Sequence, residues 1–112
     1  MPSYPNVKLI NAPNEAEVKL DYNSYRRTVI ILRAVNHKLR QHIIRLLDDN
    51  KEMTVTEVYI KMRMEQSVAS QHLAFLRKAG VVSTNRKGKY IFYSLNYDRL
   101  KEIAQMTEEL ID

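Results

Sequence analysis

Four short polar side chains, Gln66, Ser67, Ser70 and Gln71, open a stretch that closes on Arg77, Lys78, Ala79 and Gly80. Their amides and hydroxyls donate and accept hydrogen bonds without carrying charge, which suits contact with the edges of base pairs. On a helix over 66–79, Ala69, His72, Leu73 and Leu76 take the i, i+3, i+4, i+7 spacing of a buried stripe. Ser67, Ser70, Gln71, Ala74 and Lys78 fall on the other side, which holds no acid and no large apolar residue. A second group, Arg86, Lys87 and Lys89, surrounds Gly88, and clustered cations of this kind hold phosphates. The expected chemistry is recognition of double-stranded DNA, with helix 66–79 in the major groove and residues 86–89 on the backbone. His72 shares its stripe with Leu73 and Leu76, so packing is its first reading and a DNA contact the alternative.

Other chemistries find no support. The 112 residues contain no cysteine, which removes disulfides, thiolate metal ligands and cysteine nucleophiles. Gly80 and Gly88 are the only glycines, so no glycine-rich loop cradles a phosphate. No Ser-His-acid set or paired carboxylates have catalytic spacing, and no enzyme and no cofactor are expected. His37 and His42 lie about 140° apart around a helix and cannot share an ion on one face. Tyr22, Tyr25, Tyr90 and Tyr93 sit where packing explains them better than stacking on single-stranded bases.

The elements that must position the reading residues follow from caps and periodicity. Residues 1–14 hold all three prolines and read as an irregular arm. Asn14 is the expected cap of a long amphipathic helix running to residue 35, with a bend or break near Asn23-Ser24. Its apolar positions are Val18, Tyr22, Tyr25, Val29, Leu32 and Val35; Ile30 and Ile31 widen that face beyond what one neighbouring helix needs. Asn36 is the expected cap of a second helix over 37–49, with the stripe Leu39, Ile43, Leu46 and Leu47. Thr54 and Glu57 form a capping box for a third helix facing inward through Val55, Val58, Tyr59 and Met62. Arg63-Met64-Glu65 then turns into the reading helix, completing a helix-turn-helix pattern. Gly80 suits a helix stop. Strands over 81–86 and 89–95 flank a turn at Lys87-Gly88, with Ile91, Tyr93 and Leu95 facing the helices. Asn96 caps a last helix, 97–111, with apolar Leu100, Ile103, Ala104, Leu110 and Ile111. The expected fold is mainly α with a small β-hairpin: a winged helix-turn-helix forming one domain over 15–112.

Charge divides along the chain. The total is +5 with a pI near 9.5. Seven cations between Lys61 and Lys89 face one acid, Glu65, whereas residues 98–112 carry five acids against two cations. A basic middle and an acidic end suggest one face for a polyanion and another for a different partner. No charged start followed by an apolar run opens the chain, and Val29–Leu32 is too short to span a bilayer, so a cytoplasmic location without membrane contact is expected.

These residues resemble the ArsR/SmtB family of small winged-helix regulators. The resemblance covers roughly 26–96. It rests on Leu39-Arg40-x-x-Ile43-x-x-Leu46-Leu47, Gln66-Ser67-x-x-Ser70-Gln71-His72-Leu73, Leu76-Arg77-x-Ala79-Gly80-Val81-Val82, Arg86-Lys87-Gly88-Lys89 and Tyr93-Ser94-Leu95. It implies a homodimer joined through the first and last helices, 15–35 and 97–111. Tyr25, Val29, Ile30, Leu32, Leu100, Ile103 and Leu110 would make the contacts. It also implies a sequence-specific repressor, with base contacts from Gln66, Ser67, Ser70 and Gln71 and phosphate contacts from Arg86, Lys87 and Lys89; Lys78, the cation on the exposed side of helix 66–79, is a further expected DNA contact. Family members usually release DNA on binding a metal or other inducer. Here Thr54-Val55-Thr56 stands where relatives carry a two-cysteine motif, and the last helix has no histidine, so no metal site is expected. An unknown small-molecule inducer remains open. A winged-helix protein–protein module and a non-specific architectural DNA-binding protein are the competing readings.

Overall fold

Asp21 starts the helical part of the chain. In the computed structural model, which describes residues 6–112, its carboxylate accepts from the Asn23 backbone N–H at 3.2 Å and the Ser24 hydroxyl at 2.7 Å. The Ser24 bond is the largest influence holding that carboxyl below its ordinary pKa. The helix so capped, α1, runs Tyr22–Val35. The expected start at Asn14 is therefore corrected. Asn14 and Glu15 adopt φ of +62° and +56°, left-handed values that no right-handed helix can propagate. They sit in a single 3-10 turn, Pro13–Glu15, between two strands, β1 (Val7–Leu9) and β2 (Val18–Leu20). The identical triplets Val-Lys-Leu pair antiparallel, Val7 opposite Leu20. The expected irregular arm is thus, over its described part, one side of a hairpin; residues 1–5 lie outside the described residues.

The second helix, α2 (Lys38–Asn50), is capped by His37 rather than Asn36. The imidazole Nδ1 accepts from the backbone N–H of Leu39 at 3.1 Å and of Arg40 at 3.4 Å. Asn36 instead ends α1, donating its N–H to the Leu32 carbonyl. Ile43 and Leu47 are buried as expected, but Leu39 is exposed and Arg40 takes an inward place. Arg40 donates through Nε to the Ala34 carbonyl and through Nη2 to the Arg33 carbonyl, both at 2.7 Å. Gln41 Nε2 donates to the Val35 carbonyl at 2.8 Å. Three carbonyls orphaned at the end of α1 are thereby satisfied from the first turn of α2. A cation at that helix end is also favoured by the dipole.

Lys51, at φ +69° and ψ −52°, turns the chain into a strand missed in the sequence reading, β3 (Glu52–Met53). Thr54 and Glu57 then close the expected capping box on α3 (Val55–Met62). The reading helix, α4, spans Gln66–Lys78. It stops in a Schellman motif: Gly80 at φ +77° donates to the Arg77 carbonyl, and Val81 to the Leu76 carbonyl, each at 2.9 Å. Strands β4 (Val82–Lys87) and β5 (Tyr90–Leu95) follow, and β3 pairs with the other edge of β5 to give the order β3-β5-β4. The turn between them is Gly88-Lys89, one residue later than expected, with Gly88 at φ +64°. The last helix, α5 (Tyr97–Ile111), is capped by Asn96 as expected.

Ile43, Leu47, Val58, Ala69, Leu73, Leu76, Val81 and Val82 form the core between α2, α3, α4 and the base of the wing, with Ala34 and Ile103 joining from α1 and α5. Tyr93 and Leu95 pack on it, whereas Ile91 lies too far out along β5 and is exposed. Five helices and a β-hairpin wing make this a winged helix-turn-helix.

Candidate nucleic-acid interface

The α4 helix places its polar residues by simple rotation. At 100° per residue, Gln66, Ser67, Ser70, Gln71, Ala74 and Lys78 fall within an arc of about 140°. All six are exposed, while Ala69, Leu73 and Leu76 on the opposite side are fully buried. Ala74 in the middle of the arc adds no bulk, so a groove wall can approach the helix closely. Glu65 occupies the cap position without a side-chain hydrogen bond to the first turn. The N–H groups of Gln66 and Ser67, at the positive end of the helix dipole, therefore have no side-chain acceptor from the cap residue. Lys78 shares the arc but lies about 18 Å along the axis from Gln66. It stands beside α1 and α5, at the opposite end of the helix from the other polar residues.

His72 is half-buried, and its ring stands 5.1 Å from that of His37. Burial first, then the fields of His37 and Arg40, pulls its pKa below the ordinary imidazole value. Its packing reading gains this contact; the sequence offered no sign of the pairing, because the two residues lie 35 positions apart. Arg40, behind it, lies 4.4 Å above the Phe75 ring of α4.

The wing does not present its cations alike. Cross-strand pairs set Lys87 opposite Tyr90 and Arg86 opposite Ile91, so Arg86 and Lys87 project from opposite faces of the sheet. Lys87 Nζ forms an ion pair with Glu52 Oε1 at 2.5 Å and lies 5.2 Å from the Phe92 ring. Arg86 Nε donates to the Gly88 carbonyl at 3.3 Å, and Lys89 Nζ lies 5.4 Å from the Tyr90 ring. Both remain free of acidic partners among the described residues. Glu52 is the residue that sequence reasoning missed; only the pairing of β3 with β5 brings it to the wing.

Tyr25 and Val29 are exposed on α1, as is Leu110 on α5, while Ile30, Leu32 and Leu100 are half-buried and Ile103 is buried. Tyr22, Tyr25, Arg26, Val29, Ile30 and Arg33 line an open groove of about 460 Å³ along α1. No group of three or more His, Asp or Glu residues among the described residues is arranged to hold a metal ion. With hydroxyls at Thr54 and Thr56 and no cysteine in the sequence, the donor set does not fit soft metal ions. No helix among the described residues is long and apolar enough to cross a membrane.

Comparison with known proteins places the geometry. The family model described as bacterial regulatory protein, arsR family, matches residues 37–84. An uncharacterized HTH-type transcriptional regulator of Methanocaldococcus jannaschii is 34% identical, the match covering 77% of this chain and 97% of that protein. The transcriptional activator HlyU of Vibrio cholerae is 33% identical over 75% of this chain and 77% of its own length. The crystal structure of the transcriptional repressor PagR of Bacillus anthracis superimposes with a TM-score of 0.62 at 30% identity, covering 78% of this chain and 99% of that one.

Proposed function

This chain belongs to the arsR family of bacterial regulatory proteins, and on that premise we propose that it represses transcription as a homodimer bound to a specific DNA site. It is a DNA-binding transcriptional regulator with a winged-helix reader. In our reading, Gln66, Ser67, Ser70 and Gln71 contact base edges, while the N–H groups of the first turn of α4, together with Arg86 and Lys89, contact phosphates. The observation that carries this is the exposed arc of α4: short hydrogen-bonding side chains around a central alanine, next to an uncapped helix start. Lys87 joins the phosphate contacts once it leaves Glu52. Lys78 reaches phosphate only at the far end of the helix.

Surface area supports the dimer. A folded monomer of 13.2 kDa exposes about 6400 Å². This chain exposes 8904 Å², and its exposed apolar residues include Val7, Leu9, Tyr25, Val29, Leu110 and Ile111 on the hairpin, α1 and α5. Pairing through α1 and α5, with Tyr25, Val29, Ile30, Leu32, Leu100, Ile103 and Leu110 near the seam, would cover much of this excess.

The test is a binding titration against the DNA upstream of the chain's own gene and against random duplex, at one stated moderate salt concentration. Tighter binding to the upstream DNA is expected. Equal affinity for both would leave a non-specific architectural protein, and no DNA binding at all would favour a protein–protein module. Sedimentation of the free protein tests the dimer separately.

A further inference from the structure

Between α1, the end of α4 and the start of α5 lies a cleft of about 270 Å³, lined by Arg27, Ile30, Ile31, Lys78, Ala79, Gly80 and Arg99. Three cations from three separate helices converge on it, and no acid lines it. Among the described residues none of the three side chains makes an ion pair or a hydrogen bond. The end of α4 does not need them, because Gly80 and Val81 already satisfy its Arg77 and Leu76 carbonyls. The Arg99 guanidinium lies against Gly80; a Cβ there would stand 3.1 Å from its Nε. The aliphatic side chains of Ile30 and Ile31 complete the lining. We propose that this cleft binds a small amphipathic carboxylate, the head held by Arg27, Lys78 and Arg99 and a short apolar tail laid over Ile30 and Ile31, and that its occupancy weakens DNA binding.

The chemistry selects this class. Like charges gathered without counterions repel one another, and an anion placed among them relieves that repulsion while gaining charge-assisted hydrogen bonds. An inorganic anion would use the cations and leave the isoleucines uncovered; a neutral hydrocarbon would do the reverse. The cleft's volume suits one head with a tail of a few carbons. DNA phosphate is a poor occupant, because Lys78 lies about 18 Å along α4 from Gln66.

Position explains the effect on DNA. Lys78, Ala79 and Gly80 close the reading helix itself, so a ligand drawing α1 and α5 onto them changes how α4 is held. Ile30 lines both this cleft and the groove on α1, so the ligand also touches the face assigned to pairing. A ligand shifts such an equilibrium only by its differential affinity for the two arrangements. The effect on DNA rests on the regulator reading; binding in the cleft does not.

The test uses the whole protein, first without DNA. Titration with sodium octanoate, followed by amide chemical shifts, should saturate and move Ile30, Ile31, Ala79, Gly80 and Arg99. Arg27→Gln and Arg99→Gln should each weaken binding by about tenfold, and 1-octanol and sodium sulfate should bind far more weakly. Shifts confined elsewhere, no saturation, or equal binding by the two control compounds would overturn the site. At an octanoate concentration near the wild-type midpoint, the wild type should then bind upstream DNA more weakly, while Arg27→Gln, mostly unoccupied there, should change little. Unchanged affinity in the wild type would overturn the coupling. If the ligand-free protein shows no preference for that DNA, the regulator reading fails while the shift titration still decides the cleft.

Discussion

The rings of His37 and His72 stand 5.1 Å apart at 54°, one capping α2 and the other lying on the reading helix. Nδ1 of His37 accepts two backbone N–H bonds only while it carries no proton. His72, with its pKa lowered by burial and then by His37 and Arg40, resists protonation in the folded state. The unfolded chain therefore binds the His72 proton more readily, and stability falls as pH drops below the ordinary imidazole value towards the lowered one. Stability should be complete above about pH 7 and decline as the pH falls below about 6.5. Urea midpoints measured across that range should show the decline, and His37→Asp, which caps at either pH and places an anion beside His72, should flatten it. A midpoint that stays level in the wild type would show that the pair does not matter for stability.

If Lys87 contacts phosphate as proposed, Glu52 competes with DNA for it. The ion pair is half-exposed and contributes at most about 1 kcal/mol to stability, so little holds it against a phosphate. Glu52→Gln should leave the melting temperature nearly unchanged, tighten binding to all duplexes and steepen the salt dependence by about one counterion. Titrations at several salt concentrations would measure the slope.

Gln71 lies on the exposed arc, and its side chain makes no hydrogen bond among the described residues. Gln71→Ala should cost about 1–3 kcal/mol at one base-pair position and relax the preference there. Lys89→Ala, by contrast, should weaken all sequences alike. Binding to a set of single-base operator variants separates the two patterns.

Lys51 holds a backbone geometry close to that of a γ-turn, which is strained for any residue with a side chain. Lys51→Gly should raise stability by about 1 kcal/mol, since strain of this kind costs about 1–3 kcal/mol and glycine's extra freedom when unfolded returns part of it. Thermal denaturation of the two proteins gives the comparison.

What could be read in advance was local. Thr54 with Glu57, Gly80 after a basic helix end, and glycine among the wing cations each announce themselves within a few residues, and each forms its element. The reading arc of α4 was equally legible, because rotation on one helix decides which side chains share a face. The failures involve partners far away in sequence or competition between caps. Asn14 is the expected helix start; backbone handedness excludes it, and the two bonds to the Asp21 carboxylate start the helix there instead. A three-residue strand such as Val7–Leu9 is too short to show alternation, and its match lies eleven residues on. An inward Arg40 runs against the usual exposure of arginine, and nothing nearby in sequence says that the end of α1 would supply its acceptors.

Arg40 has a consequence for the kind of DNA site this protein accepts. One guanidinium bonds the last turn of α1 and rests on Phe75 of α4. Helix α1 and the reading helix are therefore braced against each other. In a dimer joined through α1, that stiffness acts as a ruler: the distance between the two readers is set by the protein. Operators whose half-sites are one helical turn apart, about 34 Å, fit such a ruler. Inserting two or three base pairs at the centre turns the second half-site away around the duplex, and a braced reader has no slack with which to follow it.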